Sequence, residues 1–357
     1  MRIGIAFDID GVLIRGKRVL PQAIRAIRRV QDARVPFVLL TNGGGTTEAA
    51  KAKELSRVLD SDIRASQMVL AHTPMAPLAA NYSNVNSNAV LILGSPFLCI
   101  FTCTRPSSSK RNESKSGKSE CKDAALAYGF KYPVLAEEIL VTCPEIWPFR
   151  APSKSCQPIS LDRKIGAILS FHDSQDWGRD AQIICDLMRT GGDLRRVVEP
   201  HHRDRTRHLH QHHTPPEQLP LYFSAGDFVW SNNLPLTRFA QGAFRYALET
   251  VYSRLTHGKP LEYTMYGKPH KVTYDYAQSA IDAHAVSLSL SHEVPIMPCK
   301  YFGIGDNPES DIAGANNNGW TSILVKTGVY ESGPHEAKYL VADVEEAVDV
   351  ILSQPHD

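Results

Sequence analysis

The chain has 357 residues, of which 43% are hydrophobic and 22% charged; this usage is typical of globular domains and excludes a collagen-like, disordered or disulfide-scaffold protein. Lys and Arg total 39 against 38 for Asp and Glu, so the chain lacks the broad basic field of a general nucleic-acid binder. No apolar run reaches the ~20 residues that span a bilayer. Seven cysteines without a CxxC pair favour free thiols in a reducing compartment.

The N-terminal elements predict a parallel sheet. Residues 2–9 form a short apolar run, residues 21–34 carry apolar side chains at helical spacing behind Pro21, and residues 36–40 form a second apolar run. Strand, helix and strand in this order make a βαβ unit, whose two strands are parallel.

The rest of the chain continues the α/β pattern, with two exceptions. We predict strands at 89–93, 164–171, 301–304 and 321–326, and helices at 179–189, 238–255, 310–318 and 344–352. Residues 95–120 begin with an apolar run and then become Ser- and Lys-rich, and residues 199–217 contain six of the 14 histidines. Both stretches are predicted to contain solvated loops or disorder. A retained intron in the gene model and a genuine disordered insertion explain residues 95–120 equally well. For the histidines, adventitious metal binding is favoured over a preorganised site.

Pairs of acidic residues follow two of the predicted strands. Asp8 and Asp10 flank Ile9 just before Gly11, and Asp306 and Asp311 follow the strand at 301–304. Ligand sites in open parallel sheets lie at the carboxyl ends of strands, and neighbouring carboxylates repel unless a cation or proton lies between them. The alternative is that these acids only form turns or cap a helix.

Two further motifs carry groups that bind anions. Thr41-Asn42-Gly43 ends the second strand, where a hydroxyl and successive backbone N–H groups can receive an anionic oxygen. An ordinary Asn-Gly turn explains this motif equally well. Lys268, in Gly267-Lys268-Pro269, supplies a cation before a helix candidate, although a solvated surface lysine would be the usual interpretation.

In order and chemistry, these four motifs resemble those of the haloacid dehalogenase-like (HAD) hydrolase superfamily, over roughly residues 1–60 and 260–330. The chain resembles more closely the class IIA branch called the cat-eye-syndrome critical region family, through runs such as 41–45, 171–177 and 305–316. The resemblance implies an α/β fold. A Rossmann-like core with a parallel sheet would comprise residues 1–62 and 260–357, and an inserted α/β class II cap domain would comprise residues 63–259.

The resemblance also implies a role for each motif. Asp8 would be the nucleophile that forms an aspartyl-phosphate, Asp10 the general acid and base, and Thr41 and Lys268 the groups that hold the transferring phosphoryl oxygens. Mg²⁺ would be held by Asp8, the Asp10 backbone carbonyl and Asp306, with Asp311 orienting the metal waters and Lys268. The substrate-binding residues would be Asn42, Gly43 and Asn307.

The function expected from this resemblance is a Mg²⁺-dependent phosphatase acting on a small phosphorylated metabolite, with a possible link to glycerophospholipid metabolism. A C-halogen hydrolase is less favoured because halide displacement needs no Mg²⁺. A catalytically weak or inactive scaffold is the non-enzymatic alternative. No nucleic-acid partner is expected, and a homodimer through the cap is possible. Relatives suggest a mitochondrial location, but the chain starts at its first strand without a presequence, which leaves a cytoplasmic location open.

Two polar-aromatic patches in the predicted cap have ambiguous roles. The first contains His172, Asp173, Asp176 and Trp177, and helix capping with a packed Trp is slightly favoured there over substrate contact. The second patch, with the same two interpretations, contains Tyr222, Asp227, Trp230 and Asn232.

Overall fold

The computed structural model describes residues 3–16, 18–94, 120–151, 156–198, 217–230, 234, 236–289 and 297–354. The predicted loops at 95–120 and 199–217 lie outside the described residues, apart from Glu120 and Glu217, and so does Asn232. The hypotheses of an intron, of disorder and of histidine-bound metal therefore stay predictions.

Strands and helices alternate along the described residues. The strands are β1 (Ile3–Phe7), β2 (Ile14–Arg15), β3 (Arg18–Val19), β4 (Phe37–Leu40), β5 (Met68–Val69), β6 (Ala89–Leu93), β7 (Pro133–Leu135), β8 (Ile165–Ser170), β9 (Leu221–Phe223), β10 (Val229–Trp230), β11 (Arg238–Phe239), β12 (Thr264–Met265), β13 (Lys300–Gly305), β14 (Thr321–Val325) and β15 (Tyr339–Val341). The helices are α1 (Pro21–Asp32), α2 (Glu48–Leu59), α3 (Glu120–Tyr128), α4 (Ala136–Thr142), α5 (Trp177–Thr190), α6 (Arg195–Val198), α7 (Gln241–Leu255), α8 (Lys271–Leu288), α9 (Ala313–Asn317) and α10 (Val344–Leu352).

The chain divides into two compact units. The first comprises residues 1–75, 224–243 and 265–357, and the second comprises residues 76–223 and 244–264. Most of the predicted core, 1–62 and 260–357, lies in the first unit, which also contains residues 224–243 from the predicted cap. The assignment of the second unit as a cap domain stays a prediction.

The first unit is built on a six-stranded sheet in the order β15-β14-β13-β1-β4-β5, in which every pair is parallel. All five residues of β1 are buried, as expected for a strand covered on both faces. Phe7 of β1 and Phe37 of β4 pack edge to face, with ring centroids 5.9 Å apart. Helix α8 packs against β1 and β4, and α1 packs against α10. The packed centre of the sheet therefore gives β1 a rigid position.

The second unit contains a five-stranded sheet in the order β12-β9-β8-β6-β7, in which β9, β8, β6 and β7 pair in parallel. Its central strand β8 begins at Ile165 and is almost wholly buried. Helix α5 follows, and Asp176 caps its first turn by accepting a hydrogen bond from the Arg179 backbone N–H.

The predicted α/β class with parallel sheets is confirmed, and most predicted elements agree with the observed ones to within a few residues. The helix predicted at 238–255 was wrong at its start. Arg238 and Phe239 pair with Trp230 and Val229 as an antiparallel ribbon, and the helix begins only at Gln241. Tertiary pairing overrides the local helical period here. No helix within the described ranges is both long and apolar enough to cross a membrane.

Candidate active site

The candidate site lies at the carboxyl ends of three adjacent strands of the first unit. Asp8 follows β1, Thr41 follows β4, and Asp306 follows β13. Because β1 lies between β4 and β13, the three side chains come to one edge of the sheet although they are far apart in sequence. All three residues are buried.

Lys268 lies at the centre of this site and is only 3% exposed. Its Nζ donates to Asp8 Oδ1 and to Asp311 Oδ1, each at 2.6 Å, and to the Leu40 carbonyl at 3.2 Å. An ammonium has three protons, so these contacts use its full donor capacity. The lysine is therefore a buried, paired cation and not the solvated surface residue that its type usually indicates.

The backbone of Lys268 is held by the side chain of Asn42. The Lys268 N–H donates to Asn42 Oδ1 at 2.7 Å, and Asn42 Nδ2 donates to the Lys268 carbonyl at 3.1 Å. Asn42 Nδ2 also donates to Asp227 Oδ2 at 2.9 Å. Gly267 permits this approach, because a Cβ there would lie 2.8 Å from Asn42 Oδ1 and its φ is +78°.

The carboxylate of Asp311 is fixed from two sides. Its Oδ1 receives Lys268 Nζ, and its Oδ2 accepts the backbone N–H groups of Asp306 at 3.2 Å and Asn307 at 3.0 Å. A π-helical turn, Pro308–Ile312, carries Asp311 back to this position. Tyr274 of α8 donates its hydroxyl to the Asp311 carbonyl at 3.0 Å, which fastens that turn to the core.

The carboxylate of Asp306 lies against the backbone of two glycines, Gly11 and Gly328. Its Oδ2 accepts the Val329 N–H at 2.6 Å. A Cβ on Gly11 would lie 2.2 Å from this oxygen, and one on Gly328 would lie 1.7 Å from it. Gly11 also has a φ of +88°. Both glycines are therefore required for the carboxylate to occupy its position.

The site has the donors that a hard divalent cation requires. Asp8, Asp306 and Asp311 each offer a carboxylate oxygen, and these oxygens all lie within 4.8 Å of one another. Three buried carboxylates face one ammonium, so a further positive charge would relieve their repulsion. Oxygen ligands in this number and spacing fit Mg²⁺ or Ca²⁺.

Burial and the neighbouring charges shift the pKa values of the site. Burial raises the pKa of Asp8 well above its usual value; attraction to Lys268 opposes this, and the other carboxylates add to it. Burial, followed by repulsion from Asp311, raises the pKa of Asp306 to about 8. Burial lowers the pKa of Lys268, but the charges of Asp311 and Asp8 outweigh that effect and hold it well above its usual value. The lysine therefore stays charged.

Asp10 and Thr41 border the same edge of the sheet. A Cβ built on Gly43 would lie 3.7 Å from Asp10 Oδ2 and 3.2 Å from Thr41 Oγ1, so both oxygens lie close to this glycine. The Thr41 hydroxyl accepts the Gly43 N–H at 2.9 Å. Asp10 is half-buried.

The structure thus brings most of the predicted site residues together. Asn42 is present, but both ends of its amide are engaged inside the site, and its assignment to substrate binding stays a prediction. Asn307 accepts the Glu309 N–H at 2.9 Å through its side chain and caps the π-helical turn. The sequence leaves Asp227 between substrate contact and a capping or packing role, and it does not point to Tyr274 or Val329, which act through long-range contacts without a local pattern.

The two ambiguous patches have separate outcomes. Asp176 caps α5, and the Trp177 ring packs 5.7 Å from the ring of Phe244 while its Nε1 donates to the Ser174 carbonyl. These contacts confirm the capping and packing interpretation for this pair. Asp227, from the second patch, belongs to the candidate site.

Comparison with known proteins identifies sequence relatives over almost the whole chain. Family models described as haloacid dehalogenase-like hydrolase and HAD-hydrolase-like match residues 5–102 and 265–347. A mitochondrial hydrolase of Saccharomyces cerevisiae is 33% identical over 378 residues, covering 99% of this chain and 96% of that protein. A cardiolipin synthase (CMP-forming)/mitochondrial hydrolase fusion protein of Schizosaccharomyces pombe is 34% identical over 98% of this chain, which spans 53% of the fusion's length.

Solved structures share the fold at low sequence identity. A glycerol phosphate phosphatase from Mycobacterium tuberculosis, in complex with calcium, has a TM-score of 0.58 and 15% identity over 96% of this chain and 73% of that one. A p-nitrophenyl phosphatase from Archaeoglobus fulgidus has a TM-score of 0.56 and 13% identity over 97% of this chain and 98% of that one. At these identities the likeness shows the fold alone.

Proposed function

Because the chain belongs to the haloacid dehalogenase-like hydrolases, we propose that it is a Mg²⁺-dependent phosphatase that hydrolyses a small phosphorylated metabolite. The observation that carries this proposal is the cluster of Asp8, Asp306 and Asp311 around one buried lysine. Catalysis of phosphoryl transfer depends mainly on positioning the phosphoryl group and neutralising its charge. A site of carboxylates, a cation and a hydroxyl supplies both.

In the proposed reaction, a carboxylate oxygen of Asp8 attacks phosphorus, forming an aspartyl-phosphate as the bond to the ester oxygen breaks. Asp10 donates a proton to that departing oxygen, so the first product leaves as an alcohol. Water then attacks the same phosphorus and gives a proton to Asp10, while the bond between the Asp8 oxygen and phosphorus breaks. Inorganic phosphate leaves, and both carboxyl groups return to their starting states.

Two groups would hold the phosphoryl oxygens during both steps. The Thr41 hydroxyl lies at the end of β4, on the same edge as Asp8. The Lys268 ammonium already contacts Asp8 Oδ1 at 2.6 Å, so it could exchange one of its three present contacts for an oxygen of a phosphoryl group joined to Asp8. Because Asp311 also pairs with this ammonium, the lysine has a fixed direction and is preorganised for the transition state.

The metal would be held by Asp8, Asp306 and the backbone carbonyl of Asp10, with Asp311 as an orienting group. When bound, Mg²⁺ neutralises charge on the transferring phosphoryl oxygens. Two observations support a divalent cation. The buried carboxylate oxygens lie close together, and the Mycobacterium tuberculosis phosphatase of the same fold was solved in complex with calcium. Asp306 is kept in place by the Val329 N–H, which supports its role as a ligand.

For the substrate we propose a glycerol-phosphate-like monoester in glycerophospholipid metabolism. One structure of the same fold is a glycerol phosphate phosphatase, and one relative joins a hydrolase to cardiolipin synthase in a single polypeptide. The names of both curated relatives also support a mitochondrial location for this chain. Association into a homodimer stays a prediction.

The experiment is a phosphate-release screen over a panel of phosphomonoesters that includes glycerol 3-phosphate, carried out with Mg²⁺. We expect release by the wild type, loss of turnover in Asp8→Asn, and unchanged turnover in Asp62→Asn, whose carboxylate is 85% exposed. Excess chelator should abolish the activity, and added Mg²⁺ should restore it. Absence of release above the Asp8→Asn background on every substrate would contradict the phosphatase and favour the scaffold alternative.

A further inference from the structure

A short segment of the first unit reaches the candidate site from outside the four motifs. Asp227 lies in residues 224–243, a segment that ends in the first turn of α7. Gln241, which is 1% exposed, accepts the Ala225 N–H at 2.9 Å and donates to Ser224 Oγ at 3.2 Å. The Gly242 N–H donates to the Asp227 carbonyl at 2.8 Å. Asp227 is therefore carried on a constrained backbone.

The close packing of this segment depends on a glycine. A Cβ on Gly242 would lie 2.3 Å from the Gly226 carbonyl oxygen and 2.6 Å from that of Asp227. No side chain fits at these separations, so the loop and the helix start touch through their backbones. The main chain that carries Asp227 is consequently fixed by backbone contacts, and its carboxylate is held by the Asn42 amide.

Asp227 selects the same orientation of the Asn42 amide as the Lys268 backbone does. A carboxylate only accepts hydrogen bonds, so Asp227 Oδ2 selects the NH₂ end of that amide, which donates to it at 2.9 Å. The Oδ1 end is then left facing the Lys268 N–H, at 2.7 Å. Rotating the amide by 180° would direct its oxygen at the carboxylate and its NH₂ at another donor, and both contacts would be repulsive.

We propose that Asp227 is a positioning residue for Lys268, acting through Asn42. The chain of contacts runs from the Asp227 carboxylate to the Asn42 amide, and from there to the N–H and carbonyl of Lys268. The backbone held in this way carries the ammonium that contacts Asp8 and Asp311. Without Asp227 the amide keeps only its two contacts with the Lys268 backbone and loses the carboxylate that holds it from the other side, so both contacts become less firmly fixed.

The electrostatics of Asp227 agree with this role. Burial raises its pKa to about 6; attraction to Lys268 and hydrogen bonds from Asn42 and Ser310 oppose the shift. Its carboxyl is therefore mostly ionised at pH 7.5, the condition chosen for the test. The ionised form accepts from Asn42 more strongly than a neutral group would.

The first test is independent of catalysis and follows backbone hydrogen exchange in the peptide spanning residues 266–270 of the full chain. We expect the Lys268 N–H to exchange about tenfold faster in Asp227→Ala, because its acceptor is held less firmly once the Asp227 contact is lost. Asp227→Asn keeps an acceptor oxygen and should restore part of the protection. Asp343→Ala removes an N-cap from α10 in the same unit and should leave this peptide unchanged.

The second test rests on the proposed function and uses a double-mutant cycle on phosphomonoester turnover. Asp227→Ala should lower kcat about 10- to 100-fold with little change in KM, as found for residues that orient a catalytic group. If Asp227 acts through Asn42, the double variant Asn42→Ala/Asp227→Ala should be no slower than Asn42→Ala alone. Should Asp227→Ala fail to fold, Asp227→Asn takes its place in both tests.

The outcomes separate this proposal from the proposed function. Two results would overturn the positioning role. One is a double variant whose loss of kcat equals the product of the two single losses; the other is a hydrogen-exchange rate at residues 266–270 of Asp227→Ala equal to that of the wild type. If the wild type hydrolyses no phosphomonoester, the proposed function fails, and the exchange measurement still decides whether Asp227 holds the Lys268 backbone.

Discussion

Replacing Lys268 by methionine should destabilise the metal-free protein strongly. The substitution keeps an unbranched apolar chain and removes an ammonium that contacts Asp8 and Asp311, each at 2.6 Å. The two carboxylates are 8% and 6% exposed, so water replaces the lost partner poorly. Breaking one side of a buried ion pair costs about 3–5 kcal/mol. We expect a loss of that size at pH 8.

The loss should depend on pH with a defined sign. Burial raises the pKa of folded Asp8 above its unfolded value, so the folded state binds its proton more tightly and stability falls as pH rises above about 4. Attraction to Lys268 opposes this shift. In Lys268→Met that opposition is absent, so the pKa of Asp8 rises further and the fall in stability extends to higher pH. The difference between wild type and variant therefore grows from pH 5 to pH 8.

The measurement is urea denaturation in excess chelator at both pH values. The matched control is Lys271→Met, since Lys271 pairs with Asp275 on the surface of α8 and its side chain is 76% exposed. An exposed pair of this kind contributes about 0.5 kcal/mol or less. A loss below about 1 kcal/mol in Lys268→Met, or an equal loss at pH 5 and pH 8, would refute the electrostatic reasoning.

Two further results are expected. Gly11→Ala should lower the free energy of unfolding by about 2–4 kcal/mol in chemical denaturation. The backbone φ of +88° is unfavourable for alanine, and the new Cβ would lie 2.2 Å from Asp306 Oδ2. Wild-type stability in this variant would contradict the close approach. Mg²⁺ at about 100 times its dissociation constant should raise stability by about 2.7 kcal/mol in a thermal-shift titration. Asp306→Asn should show little of this gain, and an equal shift in that variant would exclude Asp306 as a ligand.

The strand ends of the site could be predicted from sequence because the signal there is local. Asp8 and Thr41 each follow a short apolar run directly, and Asp306 follows a third. Parallel pairing then brings such strand ends to one edge. The residues at which individual elements begin and end are harder to predict. In β11, Arg238 and Phe239 fit a helical period, yet they pair with β10.

Long-range contacts explain what could not be predicted. The burial of Lys268 depends on acids 260 and 43 residues away, and lysine is seldom buried without such partners. Asp227 lies 185 residues from Asn42 in a segment that resembles an ordinary polar-aromatic loop. Neither spacing nor periodicity connects these positions, so only the tertiary structure shows that they belong to one site.

The pairing of β1 with β13 has a consequence for synthesis on the ribosome. Ile3 pairs with Lys300, so roughly 300 residues must be translated before the first strand meets one of its two neighbours. At about 5–20 residues per second, this delay lasts about 15 to 60 s. During that interval β1 can pair with β4 alone, and its other edge remains open to unintended partners. The nascent chain should therefore need chaperone protection until its C-terminal strands emerge.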